Sequence, residues 1–293
     1  MILGALEAGG TKMVMCVGDE NGKILEQKTI PTLTPEETMP QIIAYFKEKR
    51  AEAIGVASFG PLDLDPASPT YGYITSTPKL AWRNYPILPV LTGEMKVPAG
   101  FDTDVNAAAL AECRLGAAKG TEDCLYLTVG TGIGGGLVSG GKLVHGAQHP
   151  EWGHIPLRPM ASDPCPKGFC PSHESCAEGL ASGPAMEKRW GMKASELPDR
   201  HPAWELEAAY LAEVCVTAFM TVSPRKVILG GGVMGRESLL PRVIRKTEEW
   251  MNGYLTAPCF AHLEEMIVRP SLFPVSGLVG ALLLAAEAVN REH

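Results

Sequence analysis

Asp123-Cys-Leu-Tyr-Leu-Thr-Val129 runs into Gly130-Thr-Gly-Ile-Gly-Gly-Gly136 and leaves through Leu137-Val138. The apolar run predicts a strand over 123–129, a tight glycine turn, and a second strand. The chain opens on the same plan: a strand over 2–6, the turn Glu7-Ala-Gly-Gly-Thr-Lys12, and a strand over 13–17. A third strand over 23–30 follows the hairpin signal Asn21-Gly22. Gly9 and Gly10 let backbone N–H groups approach an anion, and Thr11, with Lys12 behind it, adds a hydroxyl. Thr131 and Gly132 repeat the arrangement. One glycine turn is most often just a hairpin, but two copies on one plan predict two donor-rich loops closing on a polyphosphate. Glu7 is placed to reach Mg²⁺ at a phosphate, directly or through water. Neither turn ends in Gly-Lys-Ser/Thr or enters a helix, which argues against a P-loop and against a Rossmann site.

Between the two copies, a strand over 97–101 meets Asp102-Thr-Asp-Val-Asn106 and a helix over 107–117. Asp102 or Asp104 reads as a helix N-cap. A carboxylate there also lies at the carboxyl end of a strand, where open α/β sheets place ligands, and it is ionised at neutral pH. Further on, a strand over 226–229 enters Gly230-Gly-Gly-Val-Met234 before a helix near 240. That combination suits close approach of a flat ligand, read as a nucleotide base and ribose.

The segment 151–178 carries a different chemistry. Cys170, His173 and Cys176 recur at two-residue spacing, with His154 sixteen residues upstream. Two thiolates and two imidazoles suit tetrahedral Zn²⁺ closed by four protein ligands. Cys165, flanked by Pro164 and Pro166, is the competing fourth ligand. A closed site leaves no position for water, so zinc is expected to hold the loop while Glu151 and Glu178 do other work.

Composition bounds these readings. The 293 residues suffice for two domains with real cores, and 45% apolar content makes the chain globular. A net charge of −7 argues against a broad nucleic-acid surface. Five of the eight cysteines, Cys16, Cys113, Cys124, Cys215 and Cys259, stand singly in apolar runs. They read as reduced core residues, consistent with the cytoplasm. No secretory signal or membrane span is expected. Helices are expected over 35–50, 179–190, 203–222 and 276–290, the last capped by Ser276. The stretch 62–98 has many prolines and few helical signals, and 71–78 reads as a cleft-lining hairpin or a surface loop.

A strand–glycine/threonine turn–strand unit in each half, with an aspartate-bearing strand end between them, resembles the α/β plan of the actin-like (ribonuclease H-like) ATPases, two lobes around a central cleft. Nearly the whole chain is similar to the ROK family (repressors, open reading frames, kinases), especially its bacterial zinc-containing fructokinases. The matching segments are Glu7–Lys12, Phe59-Gly-Pro61, Asp102–Asn106, Gly130–Gly136, His149-Pro-Glu-Trp-Gly-His154, Cys170–Cys176 with Glu178-Gly-Leu-Ala-Ser-Gly183, and Gly230–Met234. The resemblance implies lobes at 1–117 (with a C-terminal helix about 276–293) and 118–275, the zinc loop being 154–176. It implies transfer from ATP with Mg²⁺ to D-fructose, extending to mannose, by a homodimer. Asp104 matches the catalytic aspartate. Glu151, His154 and Glu178 match sugar-side positions, as do Gly60, Pro61 and Thr103. Two departures stand out. Thr103 replaces an asparagine common in relatives. The Cys-x-x-His-x-x-Cys pattern replaces the Cys-x-Cys-Gly-x-x-Gly-Cys of glucokinase-like and N-acetylmannosamine kinase-like members, which favours fructose. A zinc hydrolase would need an open metal position. A repressor would need an N-terminal DNA-binding domain, for which a first strand at residue 2 leaves no room.

Overall fold

The computed structural model describes residues 1–291; Glu292 and His293, the last two positions of the expected C-terminal helix, lie outside the described residues. Two compact units make up the chain. One comprises Met1–Leu115, Leu143–Pro150 and Leu272–His293; the other comprises Gly116–Lys142 and Glu151–Ser271. This division differs from the expected one chiefly in giving Leu143–Pro150 to the first unit.

The first unit is built on strands β1 (Leu3–Ala8), β2 (Lys12–Gly18), β3 (Ile24–Pro31), β4 (Ala53–Ser58) and β5 (Ala99–Thr103), in the order β3-β2-β1-β4-β5. β1 runs antiparallel to β2 and parallel to β4, so Ala8 pairs with Met13 on one side and Ser58 on the other. Side chains alternate along β1 as strand geometry requires. Leu6 and Ala8 enter a core with Met39, Ile42 and Phe46 of helix α1 (Pro35–Glu48). Leu3 and Ala5 join a second core with Leu278, Ala281 and Leu282. Helix α2 (Ile87–Met95) lies within the stretch where few helical signals were expected. Pro89 sits in its first turn, where no backbone N–H is needed, so proline does not exclude a helix. Nearby, Ile74 bridges both Leu62 and Tyr85.

Helix α3 (Asp104–Arg114) begins one residue after β5. Its N-cap is neither aspartate but Thr103, whose hydroxyl accepts from Asn106 N at 3.0 Å.

The second unit repeats this topology. β6 (Cys124–Val129), β7 (Ile133–Ser139), β8 (Lys142–Leu143), β9 (Lys226–Gly230) and β10 (Ile267–Val268) have the order β10-β9-β6-β7-β8. β6 is antiparallel to β7 and parallel to β9, as β1 is to β2 and β4. The expected helix over 179–190 is two helices, α4 (Ala177–Ala181) and α5 (Gly183–Trp190). Ser182 breaks them and caps α5 through Ala185 N, with Pro184 in the first turn. The buried helix α6 (Ala203–Thr221) packs on α7 (Leu239–Met251), and a single turn α8 (Leu263–Met266) leads into β10.

Helix α9 (Ser276–Arg291) returns to the first unit, packing on α3 and on β1, β4 and β5. Its approach depends on Gly55 in β4, since a Cβ there would collide with Ala281 O. Ser276 starts the helix with its hydroxyl donated to buried Glu112 at 2.8 Å. No helix among the described residues is long and apolar enough to cross a membrane.

Candidate active site

In the first unit the candidate residues gather at the carboxyl ends of β1 and β5. Glu7 stands near the end of β1, and Gly9, Gly10 and Thr11 form the turn into β2. Gly9 N donates to Lys12 O at 3.0 Å, and the Thr32 hydroxyl donates to Gly9 O at 2.7 Å. Gly10 N and Thr11 N have no acceptor among the described residues. Two adjacent amides are thus left open in the turn, the arrangement anion-binding turns use.

Asp104 occupies the first position of α3. Burial pushes its carboxyl up to about 6, against the opposing pull of N–H donors from Val105, at 2.9 Å, and from its own backbone. The Glu7 carboxyl is pushed up to about 7, first by burial and then by the charge on Asp104, with Lys12 pulling the other way. Two acids in one low-dielectric place titrate apart. Asp104 is the more ionised of the two at neutral pH and so the readier to accept a proton.

Asp102 has a separate duty. It is 3% exposed and accepts from Thr103 N (2.8 Å) and Asn106 Nδ2 (2.7 Å), while its other oxygen meets His145 Nε2 at 2.8 Å. The hydrogen bond to Asp102 raises the His145 pKa. His145 was not among the expected site residues. His149 is buried and accepts from Leu62 N at 3.1 Å through Nε2, which fixes the chain just past Gly60 and Pro61. Gly60-Pro61 is a cis peptide. Thr103 is 3% exposed, and its hydroxyl oxygen accepts the capping bond from Asn106 N.

In the second unit, Gly130, Thr131 and Gly132 form the turn between β6 and β7, with Gly183 N donating to Gly130 O at 2.8 Å. Glu178 closes on this turn: its carboxylate accepts Ile133 N at 3.0 Å, and a Cβ on Gly132 would meet it. Gly231 has φ +90° and its missing Cβ would fall on the Val129 backbone. Only glycine satisfies both demands. The Gly230–Met234 run is thereby laid against the Gly130 turn, and a cavity of about 600 Å³ adjoins it, lined by Trp204, Gly232, Val233 and Arg236 among others.

His154, Cys170, His173 and Cys176 present ligand atoms all within 4.8 Å of one another. His154 Nδ1 lies 3.6 Å from Cys176 Sγ and 3.9 Å from Cys170 Sγ, and His173 Nδ1 lies 3.8 Å from Cys170 Sγ. Tetrahedral zinc with bonds of ~2.0–2.3 Å requires ligand atoms about 3.5–3.8 Å apart. The four side chains therefore fit a metal ion, and Cys165 is not in the group. Glu151 precedes the short 3-10 turn Trp152–His154, where His154 N donates to Glu151 O at 2.9 Å.

Known proteins are similar to this chain over nearly its full length. A fructokinase of Pediococcus pentosaceus is 42% identical over 290 residues, covering 99% of each chain. A fructokinase of Zymomonas mobilis is 43% identical over 299 residues, covering 99% of this chain and 98% of that one. Among solved structures, a ROK hexokinase from Thermus thermophilus superimposes with a TM-score of 0.82 at 29% identity, covering 99% of this chain and 100% of the other. With the ROK family matched across residues 3–288, from the first strand to the last helix, this chain belongs to the ROK family.

Proposed function

We propose that the chain is an ATP-dependent fructokinase, converting D-fructose to fructose 6-phosphate. The observation that carries this reading is Asp104: a carboxylate at the start of α3, largely ionised at neutral pH, beside Glu7 and the Gly9–Thr11 turn. The relatives supply the acceptor, since fructokinases are 42% and 43% identical nearly end to end.

In the step proposed, Asp104 takes the proton of the fructose 6-hydroxyl. That oxygen bonds to the γ-phosphorus, the bond from γ-phosphorus to the β,γ-bridging oxygen breaks, and ADP leaves. General-base help of this kind is worth about 10²–10⁴-fold, and positioning and charge stabilisation supply much of the rest. The free amides of Gly10 and Thr11, with the Thr131 turn, would hold phosphate oxygens. Gly230, Gly231, Gly232, Val233 and Met234 would lie along the base and ribose. Glu151, His154 and Glu178 would orient the sugar, together with the Gly60-Pro61 segment. Glu7 would be the carboxylate that meets a nucleotide-bound Mg²⁺, which would supply neutralisation of phosphate charge. Zinc fits His154, Cys170, His173 and Cys176, where it would supply loop order. A homodimer, carried by the family resemblance, is tested by light scattering at assay concentration.

Coupled ADP release over a panel of free hexoses tests the reading, with fructose expected to be the best acceptor and mannose weaker. Asp104→Asn is expected to lower kcat by about 10²–10⁴-fold with nucleotide and sugar binding near normal. Wild-type turnover in that variant would remove Asp104 from the role of base. A different reading, a glucose or N-acetylmannosamine kinase, is disfavoured by the Cys170-x-x-His173-x-x-Cys176 pattern, and the same panel decides it.

A further inference from the structure

We propose that Lys79 is the cation that binds the transferring γ-phosphoryl group of the nucleotide, an inference that rests on the ATP-dependent reading above. Lys79 lies on the loop that crosses the turn between β1 and β2. A Cβ placed on Gly10 would be 3.2 Å from Lys79 Cε and 4.0 Å from Nζ. Lys79 Cε and Nζ therefore lie against the turn whose Gly10 N and Thr11 N have no acceptor among the described residues. An ammonium beside such a turn is attracted to whatever anion its N–H groups bind.

The loop is built to keep it there. Lys79 N donates to the hydroxyl of buried Thr77 at 3.3 Å, and Lys79 O accepts from Trp82 N at 2.8 Å. Trp82 is 1% exposed and its indole donates to Leu33 O at 2.7 Å. Arg83 adds a donor to Thr77 O at 3.2 Å. Backbone groups on both sides of the side chain are fixed, although Lys79 itself is exposed. It forms no ion pair among the described residues, unlike Lys47 and Lys49 on α1 and at its end.

The turn's position identifies the phosphate. Glu7, at the end of β1, lies close enough to Asp104 for its titration to be shifted by that charge. Ala8 pairs with Ser58 and Ser58 with Thr103, so the turn after β1 and Asp104 at the start of α3 leave the sheet at the same edge, and what the turn and Lys79 face is the reacting end of the donor. Negative charge on the transferring group moves toward the leaving oxygen as the bond breaks, and a fixed cation there lowers the barrier.

The test is Lys79→Met, which keeps the length and loses the charge at an exposed position, alongside Lys79→Arg. Expected for Lys79→Met is a fall in kcat of about 10²-fold, the usual size for one electrostatic contact at developing charge. ATP should bind about 10-fold more weakly, while ADP affinity, the fructose KM and the melting midpoint stay at wild-type values. Lys79→Arg should recover most of the turnover. Wild-type kcat in Lys79→Met, an equal loss for ATP and ADP, or no recovery in Lys79→Arg would each overturn the assignment. Absence of fructose phosphorylation by the wild-type protein would instead overturn the functional reading, so the two failures are separable.

Discussion

Asp104 shows how a site residue works against the fold that carries it. Its carboxyl is moved from the ordinary 3.8 to about 6 by burial. A folded-state pKa above the unfolded value means the residue contributes fully to stability only below about pH 4, and that contribution is lost as pH rises through about 6. Asp104→Asn removes the penalty, because an amide does not ionise. The ligand-free variant is therefore expected to be more stable than wild type by about 3 kcal/mol at pH 7.5, with the difference mostly gone near pH 4. Denaturant midpoints at the two pH values measure this, and a variant less stable at pH 7.5 would contradict it. Neither the burial of Asp104 nor its neighbour Glu7 is readable from Asp102-Thr-Asp-Val-Asn106. That segment offered two aspartates and both looked like caps. Packing gave the cap to Thr103, joined Asp102 to His145 and left Asp104 beside Glu7.

The loop from His154 to Cys176 is held at two levels. Its cysteines and histidines converge, and a buried ion pair ties its middle to the helices. Arg189 of α5 donates to Asp163 at 2.8 Å, with the two side chains 1% and 0% exposed. Tyr210 of α6 donates to the other Asp163 oxygen at 2.5 Å. Chelating the zinc proposed for this cluster is expected to raise the fructose KM while leaving the loop attached and the nucleotide KM unchanged. Unchanged fructose affinity in metal-free protein would defeat the loop-ordering role. Asp163→Asn, which strands the Arg189 charge inside, is expected to cost about 3–5 kcal/mol. A denaturant melt measures it, and a loss under 1 kcal/mol would count against the anchor. The Cys/His cluster was legible because its residues recur at short spacing within one segment. The Asp163 anchor was not, since nothing local pairs residue 163 with 189 or 210.

The chain as a whole uses one design twice. In each sheet a central strand is parallel to one neighbour and antiparallel to the other, and the glycine/threonine turn joins the antiparallel pair. Each turn therefore falls at the carboxyl end of a central strand, where loops carry ligand groups. Ligands that bind only the folded chain stabilise it by about 2.7 kcal/mol at a hundred times Kd. Fructose at millimolar concentration is accordingly expected to raise the melting midpoint by several degrees, and glucose or N-acetylmannosamine at the same concentration by much less. An equal shift from glucose would mark a broader hexose kinase.

Period-two apolar runs, two copies of a glycine turn and the close-spaced Cys/His ligands are local patterns, and local patterns are what a sequence displays. They were enough to mark most strands of both sheets, both glycine/threonine turns and the four Cys/His side chains that converge. Proline-rich 62–98 hid α2, because proline in a first turn does not break a helix. Placing His145 on Asp102, 43 residues away, His149 under Leu62, 87 residues away, and Lys79 over Gly10 required the folded path of the chain. Those contacts come from strand order and loop route, which bring together side chains whose positions in the sequence share no period.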